Sequence, residues 1–435
     1  MSRRIFVSFL GIGGKDGYTP AIYKSWRKDG CDSKKETRFV QKAIVELYPK
    51  TDLDKIVIFV TKESREKNEK ALLEDLKELG VEPEKIEMEE ISADVSNLSL
   101  TWKWFESLQS KFNNGDSLVL DVTHGFRMVP VVFSAAVAYL KRVKNVHLES
   151  VLYGAFEISG HPIVELKDFY TISDWTEGVG RLVDTADASF LRKTAEKESN
   201  GSFAGLNNKE LLDSIEDLTS AFRNVELQNI ESKARNSLDL IEKFKKQSGG
   251  DLERQVLQMI VDKFQPLVSE PPLDGSYSLD YLKLQLRLIK MFAEYNLYMQ
   301  AFTAMNEWLG SLGVFLMKRG NKYRFTSRER ETSARRYAAV FLNMLQHPDD
   351  FKAKSEDDVN LKASLDEAYK TLFEKYTTLA EIKELLDQSK KIRNGFNHGW
   401  TGVHRKGAPK DLKEKFNNAM TILEKIVEKI GDDNG

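Results

Sequence analysis

Cysteine is almost missing from this chain: Cys31 is the only one among 435 residues. An internal disulfide and a cysteine-built metal site are therefore excluded, and a reducing, cytoplasmic compartment is the expectation. Histidine is scarce too, at six residues, and His147, His161 and His347 show no metal-ligand spacing such as HExxH. No apolar run approaches the roughly 20 residues that a membrane span needs, so no membrane association is expected. Arg3-Arg4 ahead of Ile5–Leu10 faintly resembles a signal peptide. That run is short and leads into Gly11-Ile12-Gly13-Gly14-Lys15-Asp16 without a small-residue cleavage pattern, so it reads as a first buried strand. An excess of either charge is also lacking, since 65 basic residues face 67 acidic ones for a net charge of −2. Nonspecific coating of nucleic acid, which needs a large positive field, is disfavoured, whereas a local basic cleft is still allowed. No internal repeat is visible, and a polar tail, Gly431–Gly435, is expected to fray.

What is present is a hydrophobic content of 41% with 30% charged residues, as in a soluble globular protein. The length exceeds what one core usually organises. Apolar, β-branched runs at Ile5–Leu10, Ile56–Thr61, Ile86–Ile91, Ser117–Val122 and His147–Tyr153 alternate with helical patterns near 37–48, 64–79, 98–112 and 130–142. This alternation predicts a parallel, doubly wound sheet. Tyr153–Ile158 and Pro162–Leu166 around Ser159-Gly160-His161 read as an edge hairpin. Beyond residue 170 the apolar spacing becomes three and four, predicting helices over 178–200, 208–247, 251–268, 279–318, 327–346, 359–390 and 409–430. The expected fold class is α/β plus all-α: a Rossmann-like domain over 1–168, a helical linker or helix-turn-helix-like region over 169–280, and a helical domain over 281–435.

Two short motifs carry chemistry. Asp121-Val122-Thr123-His124-Gly125-Phe126-Arg127 ends a buried strand and precedes a helix. Ligands bind at that place in open α/β sheets, and the turn's N–H groups and the helix dipole favour an anion. Asp121 can take a ligand hydroxyl or orient the loop, Thr123 and His124 offer hydrogen bonds, Gly125 permits φ > 0, and Arg127 can grip a phosphate. A capped strand-to-helix turn whose polar groups serve only the backbone is the alternative. Gly11, Ile12, Gly13 and Gly14 follow the first strand, where glycines let a ligand approach the backbone, although the spacing is not the dinucleotide fingerprint GxGxxG.

Asp121-Val122-Thr123-His124-Gly125 resembles the DxTHG motif of the CRISPR-associated DxTHG proteins of type III systems. The resemblance implies a CARF domain, a Rossmann-like sensor of cyclic oligoadenylate, followed by a helical HEPN ribonuclease domain. It further implies a homodimer, or a higher oligomer, whose paired sensors hold one ring in a shared crevice. Gly11–Gly14, Asp121, Thr123, His124, Gly125 and Arg127 would be the ligand contacts. By the same analogy the activator is cyclic tetra-adenylate or cyclic hexa-adenylate, with no cofactor required.

The second motif is Arg393-Asn394-Gly395-Phe396-Asn397-His398. Arginine and histidine suffice to cleave RNA without metal, because the substrate's own 2′-OH attacks the neighbouring phosphate. Histidine moves the proton, and arginine stabilises the more negative transition state. The expected substrate is single-stranded RNA and the expected products are a 2′,3′-cyclic phosphate and a 5′-OH. Residues five apart lie about 140° around an ideal helix, and Gly395 and Gly399 weaken one, so a local kink or two chains meeting would have to build the site. The resemblance implies the second solution, with Arg393, Asn394 and His398 of two protomers facing each other. The bland alternative is a helix terminus with His398 stacked on Phe396 or Trp400. Glu307, on an aromatic-rich helix, is a candidate to hold Arg393. His404-Arg405-Lys406 reads as a basic loop, solvated or touching RNA, and Lys62–Lys70 as a solvated helix face. Two rival functions stay open on sequence grounds: a ligand-responsive DNA-binding regulator, and a ring nuclease that degrades the cyclic oligoadenylate itself.

Overall fold

The structure is a computed structural model and describes residues 2–15, 17–27, 32–48, 53–92, 94, 97–124, 129–197, 203–247, 250–317, 323–325, 328–353, 355–400 and 409–434. The chain divides into two compact units, Met1–Ser173 and Asp174–Gly435. In the first, strands and helices alternate: β1 (Arg4–Leu10), α1 (Val40–Leu47), β2 (Lys55–Val60), α2 (Lys62–Glu78), β3 (Ile86–Glu90), α3 (Leu98–Ser110), β4 (Ser117–Asp121), α4 (Val129–Val143), β5 (His147–Gly154) and β6 (Ile163–Glu165). The sheet order is β3-β2-β1-β4-β5-β6, parallel except for the antiparallel β5–β6 pair. The hairpin is shorter than the predicted one, pairing Leu152–Gly154 with Ile163–Glu165.

Side-chain alternation along β1 divides two cores. Ile5, Val7 and Phe9 join Phe59, Trp104, Leu120 and Phe133 on one face. Phe6 and Leu10 join Val40, Ile44, Ile58 and Val119 on the other. A run buried on both faces is what a central parallel strand requires. The sheet grows outward in both directions from the neighbouring strands β1 and β4, so the crevice beyond their carboxyl ends is the switch point of the topology.

The second unit is helical. The chain passes through α5 (Lys167–Thr185), within which the units divide, then α6 (Ser189–Lys197), α7 (Lys209–Arg223), α8 (Ile230–Gln247), α9 (Asp251–Phe264), α10 (Leu279–Glu294), α11 (Tyr298–Phe315), α12 (Arg328–Gln346), α13 (Glu356–Thr371), α14 (Leu379–Asn397) and α15 (Leu412–Asn434). Four predicted helices are in fact broken, the 178–200 pattern after Thr185, where Ala186 adopts φ 51°. The 208–247 pattern is interrupted after Arg223, where Val225 adopts φ 60°, and the 279–318 pattern after Glu294, where Asn296 adopts φ 58°. The 359–390 pattern stops before Thr378, which caps α14 reciprocally with Glu381. The C-terminal tail is also not frayed as expected: α15 runs to Asn434. Inside the unit, α11 is buried nearly all round, with Phe302, Met305, Trp308, Leu309 and Leu312 inaccessible and the Trp308 indole donating to the Leu282 carbonyl at 3.0 Å.

Candidate functional sites

The register of β1 and β4 sets Val7 beside Leu120, so the next pair is Ser8 beside Asp121. Both are fully buried. Ser8 Oγ donates to Asp121 Oδ2 at 2.6 Å. The other carboxylate oxygen accepts the Thr123 backbone N–H at 2.9 Å and the Thr123 hydroxyl at 2.5 Å. Thr123 Oγ1 in turn accepts the Gly154 N–H at 2.7 Å, and the Val122 N–H reaches the Leu152 carbonyl at 2.9 Å. Asp121 and Thr123 thus stitch β1, β4 and β5 together at the crevice. Burial raises the Asp121 carboxyl above the ordinary carboxylate range, while the Ser8 and Thr123 bonds oppose that rise. Of the two roles open to Asp121 in the sequence, this geometry is that of the loop orienter.

His124 points differently. Its ring lies 4.8 Å from that of Tyr18, and burial pushes its pKa below the ordinary imidazole value, favouring the neutral form. Its Nε2 is buried and unpartnered among the described residues. The loop after β1 closes against it, since a Cβ on Gly11 would stand 2.7 Å from the Tyr18 hydroxyl and 3.8 Å from the His124 Cβ. Gly13 adopts φ 73°, and Gly14 and Gly17 exchange backbone hydrogen bonds at 3.1 Å, which commits the Gly14 N–H to the turn. Ile12 is exposed. Burial pushes the Tyr18 hydroxyl up to about 12, with the Gly11 and Gly13 N–H groups acting in the other direction. Gly125 and Arg127 lie outside the described residues.

Several neighbours escaped sequence reading. Ser8 carried a signal, a hydroxyl at a core position of an otherwise apolar strand. Tyr18 carried none. On α2, taken from sequence as a solvated face, Asn68 donates to the Gly11 carbonyl at 2.9 Å and Lys67 reaches the Gly14 carbonyl at 3.5 Å. The helix therefore also props the glycine loop.

In the helical unit, Arg393 and Asn394 are half-buried near the end of α14, and His398 is its exposed C-terminal cap, with φ −106° and ψ 18°. The His398 N–H still bonds to the Asn394 carbonyl at 3.0 Å. The helix continues unbroken through Gly395 because the glycine is needed there: a Cβ would stand 2.3 Å from the Trp400 ring, which folds back over it. Trp400 itself adopts φ 57°, and its ring meets Phe396 edge-on at 5.4 Å. The motif is thus neither a loop nor a kink but a helix end whose cap leaves helical geometry at the histidine. The Arg393 side chain has no hydrogen-bond or ion-pair partner among the described residues. α11 meets α14 through Asn306, which donates to Ser389 Oγ at 3.1 Å, and through the Phe302 carbonyl, which accepts from that hydroxyl at 3.3 Å, and not through a Glu307 hydrogen bond. One residue is 100° of rotation, and it turns Glu307 away to a cavity on another side of α11. His404, Arg405 and Lys406 lie outside the described residues.

With this geometry established, residues 5–157 match the family model described as "CRISPR system endoribonuclease Csx1, CARF domain". The N-terminal unit is a CARF domain. The resemblance read from Asp121–Gly125 holds over that unit, in which Gly11 and His124 lie side by side beyond the ends of β1 and β4. A CRISPR-associated protein of Methanocaldococcus jannaschii is 32% identical over 98 residues, which cover 22% of this chain and 16% of that protein. The chain thus spans about a sixth of the length of that relative. Among solved structures, Enterococcus italicus Csm6 bound to cyclic hexa-2′-fluoro-hexa-dAMP has 12% identity and a TM-score of 0.43, covering 98% of this chain and 94% of that one. No helix among the described residues is long and apolar enough to cross a membrane.

Proposed function

We propose that the protein is a metal-independent endoribonuclease of the HEPN type that cuts single-stranded RNA when its CARF domain binds cyclic oligoadenylate, preferably the tetra-adenylate ring. The observation that carries this reading is one chain combining a CARF domain, matched to a family whose description names an endoribonuclease, with an arginine and a histidine at an accessible helix end. In the CARF domain, the Asp121–Thr123 clamp orients the chain entering His124, which meets the ligand beside Gly11, and Gly125 and Arg127 add the contacts that the motif implies. A neutral, unpartnered His124 ring next to Tyr18 suits stacking and hydrogen bonding with adenine. In the helical unit Arg393 neutralises the scissile phosphate and His398 moves the proton, with Asn394 orienting the phosphate.

The reading includes a homodimer in which two such helix ends form one cleft, because Arg393 and His398 five residues apart do not face one point from a single helix. The ligand activates by binding the cleaving arrangement more tightly than the idle one. The test is cleavage of a labelled single-stranded RNA in EDTA, with and without cyclic tetra- or hexa-adenylate. Ligand-dependent cutting that leaves a 2′,3′-cyclic phosphate is expected, as is no cutting of the DNA counterpart. No cutting with any ring would sink the reading.

A further inference from the structure

The helical unit carries a half-open cavity of about 730 Å³ whose lining includes neither the CARF crevice nor the Arg393–His398 motif. Its walls come from the turn between α7 and α8, from α10, α11 and α12, and from Tyr277. Such a volume lies within the range of small-molecule sites. Its chemistry is polar. Gln285 on α10 is 1% exposed and donates through Nε2 to Ser311 Oγ at 3.2 Å, while its Oε1 is buried without a partner. Exchanging the two ends of the amide would still leave one of them unsatisfied. Tyr281 is the other hydrogen-bond neighbour of this amide, and an amide oxygen left unpaired costs about 1–3 kcal/mol, which a bound polar ligand would relieve.

The surroundings define that partner. Tyr281, beside Gln285, is fixed by stacking on Phe325 with ring centroids 4.1 Å apart. On α11, Glu307 is exposed on the cavity wall and has no ion-pair partner among the described residues. Arg335 of α12 is exposed and also lines the cavity. An amide on a buried wall pairs with the donor and acceptor edge of a nucleobase, as glutamine does with adenine. A carboxylate on the wall accepts the hydroxyls of a ribose, and a guanidinium meets a phosphate. The same α11 carries Asn306, which braces Ser389 one turn before Arg393, so one helix backs both the cavity and the motif-bearing helix.

We propose that this cavity binds a single unpaired ribonucleotide, with Gln285 reading the base edge, Glu307 holding the ribose and Arg335 facing the phosphate. This deepens the ribonuclease reading, which supplies the source of the nucleotide: an unpaired position of the RNA substrate. A free nucleoside monophosphate has the same chemistry, and the experiment separates the two.

The full-length Arg393→Ala, His398→Ala protein is titrated by calorimetry with AMP, GMP, CMP and UMP, with their 2′-deoxy counterparts, and with a ten-nucleotide single-stranded RNA. At least one ribonucleotide or the RNA is expected to bind, with its deoxy form at least about fivefold weaker. Glu307→Gln should weaken binding by a similar factor. Ala339→Trp, which fills the mouth from an exposed position, should weaken it by at least about tenfold. Binding of the RNA alone marks the substrate as source, and binding of the monophosphate alone marks a free nucleotide. The proposal is overturned if neither binds at millimolar concentration, or if binding ignores both cavity variants. RNA cleavage by the unaltered protein is scored separately, so loss of the ribonuclease reading leaves the cavity result standing.

Discussion

The two motifs of this chain are built in opposite ways. In Asp121–His124 the first residue is sunk into the sheet and the third is half-buried just beyond it, each oxygen of Asp121 committed to a partner within 2.9 Å. In Arg393–His398 the helix supplies only a platform, and the side chains stand half-buried or exposed at its end. The difference teaches that a motif's letters need not share one job. Asp121 and Thr123 of the first motif are spent on shaping the loop, whereas in the second motif the Arg393 side chain takes no ion-pair partner among the described residues.

The contrast can be broken in order of expected effect. Replacing both Arg393 and His398 by alanine should lower ligand-stimulated RNA cleavage by a factor on the order of 10³ or more. It should change stability by no more than about 0.5 kcal/mol, since neither side chain is buried. Unimpaired cutting by that variant would remove both residues from the chemistry. Asp121→Ala should do the reverse, costing about 2–4 kcal/mol in urea unfolding, because it strands the Ser8 and Thr123 donors inside the sheet. A loss under half a kcal/mol would mean that the clamp is ornamental. Thr123→Val, which removes one hydroxyl serving two bonds, should cost about 1–2 kcal/mol, and Thr123→Ser should recover most of it.

The smallest effect is a pH slope. The folded pKa of His124 lies below the ordinary 6.5, so the unfolded chain takes up a proton near that pH that the folded crevice refuses. Stability contributed by the neutral ring is present above pH 6.5 and falls as pH drops below it, by at most about 1.4 kcal/mol per pH unit. Asp121, whose carboxyl is raised, gains stability on acidification and feels the charge of the His124 ring, so the difference from His124→Asn reports the histidine together with its pull on Asp121. Equal slopes for the two proteins between pH 7.5 and 5.5 would show that the ring titrates freely in the fold.

Much of this architecture was legible because its signals are local. Apolar β-branched runs announced the strands, and the change of spacing near residue 170 announced the helices. The helix breaks at Val225 and Asn296 were hidden, because non-glycine residues took the left-handed turn while apolar periodicity continued on both sides. Sequence reading set the glycine loop and the DxTHG loop at two strand ends, and the order β1-β4 makes those ends neighbours. It could not rank Asp121 against His124, since burial depends on register with Ser8, 113 residues away. Glu307 as a candidate to hold Arg393 could not be tested from sequence for the same reason: which face of α11 meets α14, the Asn306 face, is a tertiary fact.

The indole of Trp400 rests where a side chain at position 395 would otherwise be, and this makes the two positions one unit of inheritance. A larger residue at 395 would lever the ring away and release the turn that follows His398. Shrinking position 400 would open room that only a bulkier neighbour could refill. Selection for restored function in a Trp400→Ala background should therefore return second-site changes at 395, a compensatory pairing that neither position would display alone.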